Sequence, residues 1–241
     1  MRVNDHGPEE PRGLAALMRL FAHDLRNPLS ALVTNLGFAR RLVDKGEGEP
    51  DPELDEVLAD SEGACEVLRL LVTNLEALAR HGDLGGDELG AAPMQVLEEV
   101  AASCRSRARM AEVELAMEGA EAVGRVPVSR RALALILENL ATNALQHAPR
   151  GSRVTLGMRR APERVELVVI DRGGAIPEAL REGATGFPSE GSSARDAKLR
   201  RGRGASLFVA KVVADANGLG LAIAGEGDRS ELVVSLPCPR G

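Results

Sequence analysis

Two apolar stripes at helical spacing fill the first third of the chain and limit what it can build more than any other feature. Leu14, Leu17, Phe21, Leu25, Leu29, Leu32, Leu36 and Leu42 recur at intervals of three, four or near-multiples, which is one face of a long helix. The polar run Asp44-Lys45-Gly46-Glu47-Gly48-Glu49-Pro50 ends it. A second start follows at once. Asp51 can cap, Pro52 suits the first helical position, and Glu53, Asp55 and Glu56 load the first turn with negative charge. Leu54, Leu58, Cys65, Leu68, Val72, Leu75 and Leu78 then form the second stripe, closed by His81-Gly82. Two helices of about 30 residues joined by a short turn make an αα-hairpin. A single hairpin has too little partner surface for both stripes, so the pattern predicts a second copy and a dimeric four-helix bundle.

Beyond this hairpin the character changes. Gly82 to Gly90 is rich in Gly and Asp and reads as a linker. The predicted organisation is a flexible tail over 1–12, the helical hairpin over 13–82, a linker over 83–90 and an α/β domain over 91–241. Within that domain Met94 to Arg109 reads as a helix and Val113 to Met117 as a strand. Ser129 caps a strong helix that runs to His147 and stops at Pro149-Arg150-Gly151. Val154–Met158 and Val165–Ile170 read as adjacent strands, Ala205–Ala216 as an apolar helix, and Leu219–Ala224 with Glu231–Leu236 as a closing hairpin. Between Ile176 and Gly204 the chain is rich in Gly, Ser and Arg without periodicity, as expected of a functional lid or of a disordered segment. The fold class expected is therefore α followed by an α/β sandwich.

Composition removes several functions. The 241 residues include four Phe, no Trp and no Tyr, too few rings to read nucleic acid by stacking. A formal charge of −6 also disfavours a polyanion partner. Cys65, Cys104 and Cys238 fit no zinc spacing, and an odd count is no disulfide framework, which suggests reduced thiols in the cytoplasm. The start is polar and Pro-rich and no run of 18 apolar residues occurs, so neither a signal peptide nor direct membrane insertion is expected.

Four short segments carry chemistry. In Phe21-Ala22-His23-Asp24-Leu25-Arg26-Asn27-Pro28-Leu29, His23 and Asp24 lie off the apolar stripe, so the imidazole should face solvent beside a carboxylate able to orient it. Pro28 removes the amide bond back to Asp24. In Leu137 to His147, Asn139 and Asn143 share a helix face, and amide oxygens so placed suit Mg²⁺. In Val168 to Pro177, an apolar strand delivers Asp171 into a glycine turn, where its carboxylate can accept from an adenine amino group. In Arg201-Gly202-Arg203-Gly204-Ala205-Ser206-Leu207, glycines open a helix whose amides can face phosphate. Taken singly, each also fits an ordinary surface helix, turn or basic loop.

In this order the segments resemble the transmitter region of two-component sensor histidine kinases, from about Leu14 to Pro237. His23 lies in what resembles the H box, Asn139 and Asn143 match the N box, Asp171 and Gly173 the G1 box, and Gly202 and Gly204 the G2 box. The resemblance implies a dimerisation and phosphotransfer hairpin followed by a Bergerat-type ATP-binding sandwich with a mobile lid. It implies that His23 takes the γ-phosphate of ATP, that Asp24 orients and deprotonates it, and that Asn27 helps place a water for dephosphorylating the partner. Asn139 and Asn143 would hold Mg²⁺ and phosphates, Asp171 would select adenine, and amides near Gly202 and Gly204 would embrace the phosphate tail. The implied partners are a response-regulator receiver domain, a second copy of the chain and a separate sensory protein. A relay protein with a degenerate nucleotide domain, or a non-catalytic dimeric scaffold, are the alternatives. Departures concentrate in the glycine boxes, where Ala175 and Ser206 replace usual glycines and Phe187 alone could serve as a lid phenylalanine. If those positions require positive φ, Ala and Ser would cost about 1 kcal/mol or more each.

Overall fold

The computed structural model describes residues 9–45, 52–84, 89–119, 123–162, 164–176, 181, 185 and 205–238. Helices α1 (Glu9–Lys45) and α2 (Pro52–Ala79) form the predicted hairpin. α1 starts four residues before the expected boundary at 13. Residues 9–12 lie within this helix. Pro28 sits inside α1, and the helix continues through it.

Strand β1 (Leu89–Ala91) follows, then α3 (Pro93–Met110), β2 (Glu114–Gly119), β3 (Val126–Ser129), α4 (Arg130–His147), β4 (Arg153–Ala161) and β5 (Arg164–Asp171). Helix α5 (Ala205–Ala216) and the hairpin β6 (Gly220–Glu226) and β7 (Arg229–Pro237) complete the chain. The expected linker thus ends early: β1 starts at Leu89 and pairs antiparallel with β3, and Leu84 is buried.

Five strands make one sheet in the order β2-β4-β5-β7-β6. Only β2 and β4 run parallel, as their connection through β3 and α4 allows; the other pairs are antiparallel. Helices α3, α4 and α5 cover one face. Strand alternation drives Val165, Leu167 and Val169 of β5 into that layer with Leu133, Ile136, Leu140, Leu207 and Val213 from the helices. Asp171 keeps the same parity, so the sheet places it on the helical side. On the opposite face Glu166 accepts from Arg159 at 2.8 Å and Arg164 at 2.7 Å, and Glu231 pairs with Arg159 and Arg229. Arginine stems roof the strands there.

The hairpin packs on this sandwich. Leu17 and Phe21 of α1 and Leu70, Leu71 and Ala77 of α2 belong to the same core as the α/β domain. Gly82 (φ +85) turns the chain between the two, and a Cβ there would stand 2.5 Å from Val212 O and 2.8 Å from Ala216 Cβ on α5. Farther along α1 the predicted stripe loses cover, with Leu29 and Leu36 exposed. On α2 the outcome differs in part from the expected pattern, for Leu75 and Leu78 pack against the core as predicted. Leu58, Cys65 and Val72 are exposed, while Gly63, Ala64, Leu70, Leu71, Asn74 and Ala77 form the buried face.

Candidate functional site

His23 stands on the solvent side of α1, as its offset from the leucines requires. Its side chain is 67% exposed, and Nδ1 lies 3.1 Å from Asp24 Oδ1. Two residues earlier Phe21 is 1% exposed and buried in the core shared with the sandwich, which fixes the helix face that carries the imidazole. Asn27, one turn on, is exposed. With Pro28 it borders a cavity of about 370 Å³ between hairpin and sandwich, whose far wall includes Arg107, Thr142 and Gln146. The buried Arg107 guanidinium donates to Thr142 Oγ1 at 2.6 Å.

Asn139 and Asn143 share one face of α4, which Ser129 starts by accepting from Ala132 N at 3.1 Å. Their surroundings differ. Asn139 is fully buried, and its amide is bonded to Asn74 of α2 in both directions. Asn74 Nδ2 donates to Asn139 Oδ1 at 2.8 Å, and Asn139 Nδ2 donates to Asn74 Oδ1 at 2.7 Å and to Leu135 O at 2.9 Å. Asn143 is buried too, yet its amide forms no hydrogen bond among the described residues. Beside this pair Arg69 of α2 donates to Glu138 Oε1 at 2.8 Å, and Ser103 of α3 donates to the same oxygen at 3.1 Å. A polar seam between hairpin and sandwich thus runs along α4. Asn74, Arg69 and Glu138 were missed from the sequence. The available signal was a polar Asn74 three residues from both Leu71 and Ala77 on one helix face.

Asp171 ends β5 at 1% exposure. Its Oδ1 accepts from Gly173 N at 2.7 Å, an Asx turn that turns the chain out of the strand. The next turns are pinned by Gly174 N donating to Asp228 O and Ala175 N donating to Gly227 O, 2.9 and 3.1 Å. Positive φ falls on Gly174 (+97), not on Ala175, so the missing glycine costs no backbone strain. Ala205 and Ser206 are the first residues of α5, where helical φ suits any L-residue. The sequence-based penalty at these positions does not arise. Gly202, Gly204 and Phe187 lie outside the described residues.

No group of three or more His, Cys, Asp or Glu side chains is placed to hold a metal among the described residues. Burial pushes the Cys104 thiol up, away from ligation or attack. A hard cation would depend on amide and phosphate oxygens instead. Asn143 fits that use as it stands; Asn139 fits it only when parted from Asn74.

A mixed sheet with three helices on one face, two buried asparagines one turn apart on its central helix and an Asp-Arg-Gly turn at a strand end fit an ATPase domain of the histidine kinase class. Residues 128–240 match the family described as "Histidine kinase-, DNA gyrase B-, and HSP90-like ATPase". The chain is 31% identical over 170 residues to the signal transduction histidine-protein kinase/phosphatase MprB of a Mycobacterium species, covering 69% of this chain and 32% of MprB. It is 25% identical over 213 residues to the sensor protein KdpD of Clostridium acetobutylicum, covering 87% of this chain and 23% of KdpD. The crystal structure of full-length ShkA in complex with AMPPNP shares its fold with a TM-score of 0.56 at 22% identity, over 93% of this chain and 47% of that one. The chain therefore belongs to the sensor histidine kinases as a transmitter region, a helical hairpin followed by the family's ATPase domain. It spans about a quarter to a third of the length of these curated relatives. No helix among the described residues is long and apolar enough to cross a membrane.

Proposed function

We propose that this chain is a cytoplasmic protein histidine kinase that phosphorylates itself on His23 from ATP with Mg²⁺ and passes the group to an aspartate of a response-regulator receiver domain. The observation that carries this reading is the exposed His23 imidazole, oriented through Nδ1 by Asp24 on a helix packed against the ATPase domain. With the Nδ1 proton directed to Asp24, Nε2 keeps its lone pair. That nitrogen attacks the γ-phosphorus, the N–P bond forms, and the bond to the bridging oxygen breaks with its electron pair leaving on ADP. Asp24 stabilises the positive charge that develops on the ring. Asp171 selects adenine through a carboxylate acceptor held by Gly173. Asn143, with Asn139 once released, offers oxygens for Mg²⁺, which when bound neutralises phosphate charge. Gly202 and Gly204 are assigned to the phosphate tail by the motif alone. Asn27 positions a water for the reverse dephosphorylation of the receiver.

The exposed stripe Leu29, Val33, Leu36 and Val43 on α1 supports a homodimer built on the hairpin. Input then comes from a separate sensory partner or segment. In domain terms we assign 9–82 to dimerisation and phosphotransfer and 89–238 to ATP binding. A second reading, a relay protein that receives phosphate on His23 from another receiver, draws on one observation: the Asn139 amide is engaged by Asn74 and not open to a metal.

Incubation with radiolabelled Mg-ATP tests both. The kinase gains an acid-labile, base-stable label, and His23→Gln abolishes it while nucleotide binding persists. Label surviving in His23→Gln refutes the site; no nucleotide binding by the parent protein selects the relay.

A further inference from the structure

The bond between Asn74 and Asn139 joins hairpin to ATPase domain through a side chain that the proposed function gives to the metal-bound nucleotide. Both jobs cannot be done together. Asn139 has no exposed surface, its oxygen accepts from Asn74, and both hydrogens of its nitrogen are donated, one to Asn74 and one to Leu135 O. Mg²⁺ accepts oxygen ligands at about 2.0–2.1 Å in near-ideal octahedral geometry and tolerates little displacement. An oxygen sealed under α2 cannot approach a cation to that distance while Asn74 stays in place. One turn along, Asn143 keeps an amide with no hydrogen bond among the described residues. The docked hairpin thus leaves half of the asparagine pair available.

From this the geometry points to Asn74 as an internal competitor of the nucleotide: α2 and the metal–nucleotide complex contend for the same amide, and each excludes the other. The inference rests on the ATP-binding reading above. Arg69 adds a second, weaker tie to the same helix through Glu138, with its own side chain 47% exposed. Because the coupling is reciprocal, nucleotide must loosen the docked hairpin by the factor by which docking weakens nucleotide. A purely structural role for the pair gives the opposite sign, since losing a support for Asn139 would weaken binding.

The test is a titration of the full chain with a fluorescent ADP analogue and Mg²⁺, with calorimetry as a second readout. Two neutral amide hydrogen bonds predict that Asn74→Ala binds about tenfold or more tightly than the parent. Arg69→Ala should move the same way by about two- to threefold. Hydrogen exchange of the parent should quicken across 70–77 when Mg-ADP is added. Equal or weaker binding by a folded Asn74→Ala overturns the competition. If that variant does not fold, unchanged affinity in Arg69→Ala together with nucleotide-independent exchange at 70–77 overturns it equally. Absence of binding in parent and variants alike is a different result: it removes the ATP reading itself, and the competition with it.

Discussion

The α/β domain buries its apolar residues throughout, in a core that the near end of the hairpin joins, whereas the outer hairpin does not. Leu133, Ile136, Leu137, Leu156, Leu167 and Leu232 are all sealed between sheet and helices. The hairpin buries Leu17 and Phe21 only where the sandwich covers α1, and leaves Val33 73% and Leu36 62% exposed beyond it. The two regions spend apolar residues differently. In the sandwich they fold the domain; in the outer hairpin they sit ready for another surface. Helix α2 shows both uses on one element, with Leu70, Leu71 and Ala77 facing inward and Leu58 and Val72 outward.

The contrast can be broken by substitution. Leu133→Ala, in the sealed layer, should destabilise the chain by about 2–5 kcal/mol in denaturant unfolding. A loss under ~1 kcal/mol would mean that this core is looser than its packing indicates. A smaller effect is expected on the far face of the sheet. The hydrogen bond from Arg159, with help from Arg164 and against the opposing effect of burial, holds the Glu166 carboxyl below the usual range. A folded value below the unfolded one contributes stability above the unfolded pKa of about 4.3, and this contribution is lost as pH falls through the folded value. Glu166→Gln should flatten the fall in unfolding temperature below about pH 4 while the sandwich remains folded at neutral pH. Leu36→Asp should change unfolding of the sandwich least, by about 0.5 kcal/mol or less. It should nevertheless lower the sedimenting mass from dimer to monomer. An unchanged mass would leave the outer stripe without its proposed occupant.

How legible each part was in the sequence depends on how local its cause is. The two long helices, the Ser129 cap, the adjacent β4 and β5 and the closing β6–β7 hairpin follow from periodicity and end signals spanning a few residues. So does the exposure of His23, which needs only the offset from Leu25 and Phe21. The short strands β1 and β3 carry three and four residues, too few for alternation to show, and β1 lay in what reads as a linker. Parallel pairing of β2 with β4 is decided by a crossover, not by either strand. The face that α2 buries was legible only in part: Leu75 and Leu78 of the predicted stripe pack against the core, Leu58, Cys65 and Val72 face outward, and Gly63, Ala64, Leu70, Leu71 and Asn74, which no leucine spacing marks, form the buried face. That Asn139 meets Asn74 depends on a contact 65 residues apart, which no local pattern encodes.

Gly82 sets the leverage in this arrangement. The backbone oxygen of Val212 presses on the place where a side chain would begin, so the end of the hairpin is anchored against α5 at a fulcrum. Asn74 lies eight residues back, roughly 8–12 Å along the rod at 1.5 Å per residue. A tilt of about ten degrees about that fulcrum therefore carries Asn74 through about 1.5–2 Å, more than the spread of hydrogen-bond lengths allows. Under the competition proposed above, the Asn74–Asn139 bond stands where a slight swing of the hairpin would part it.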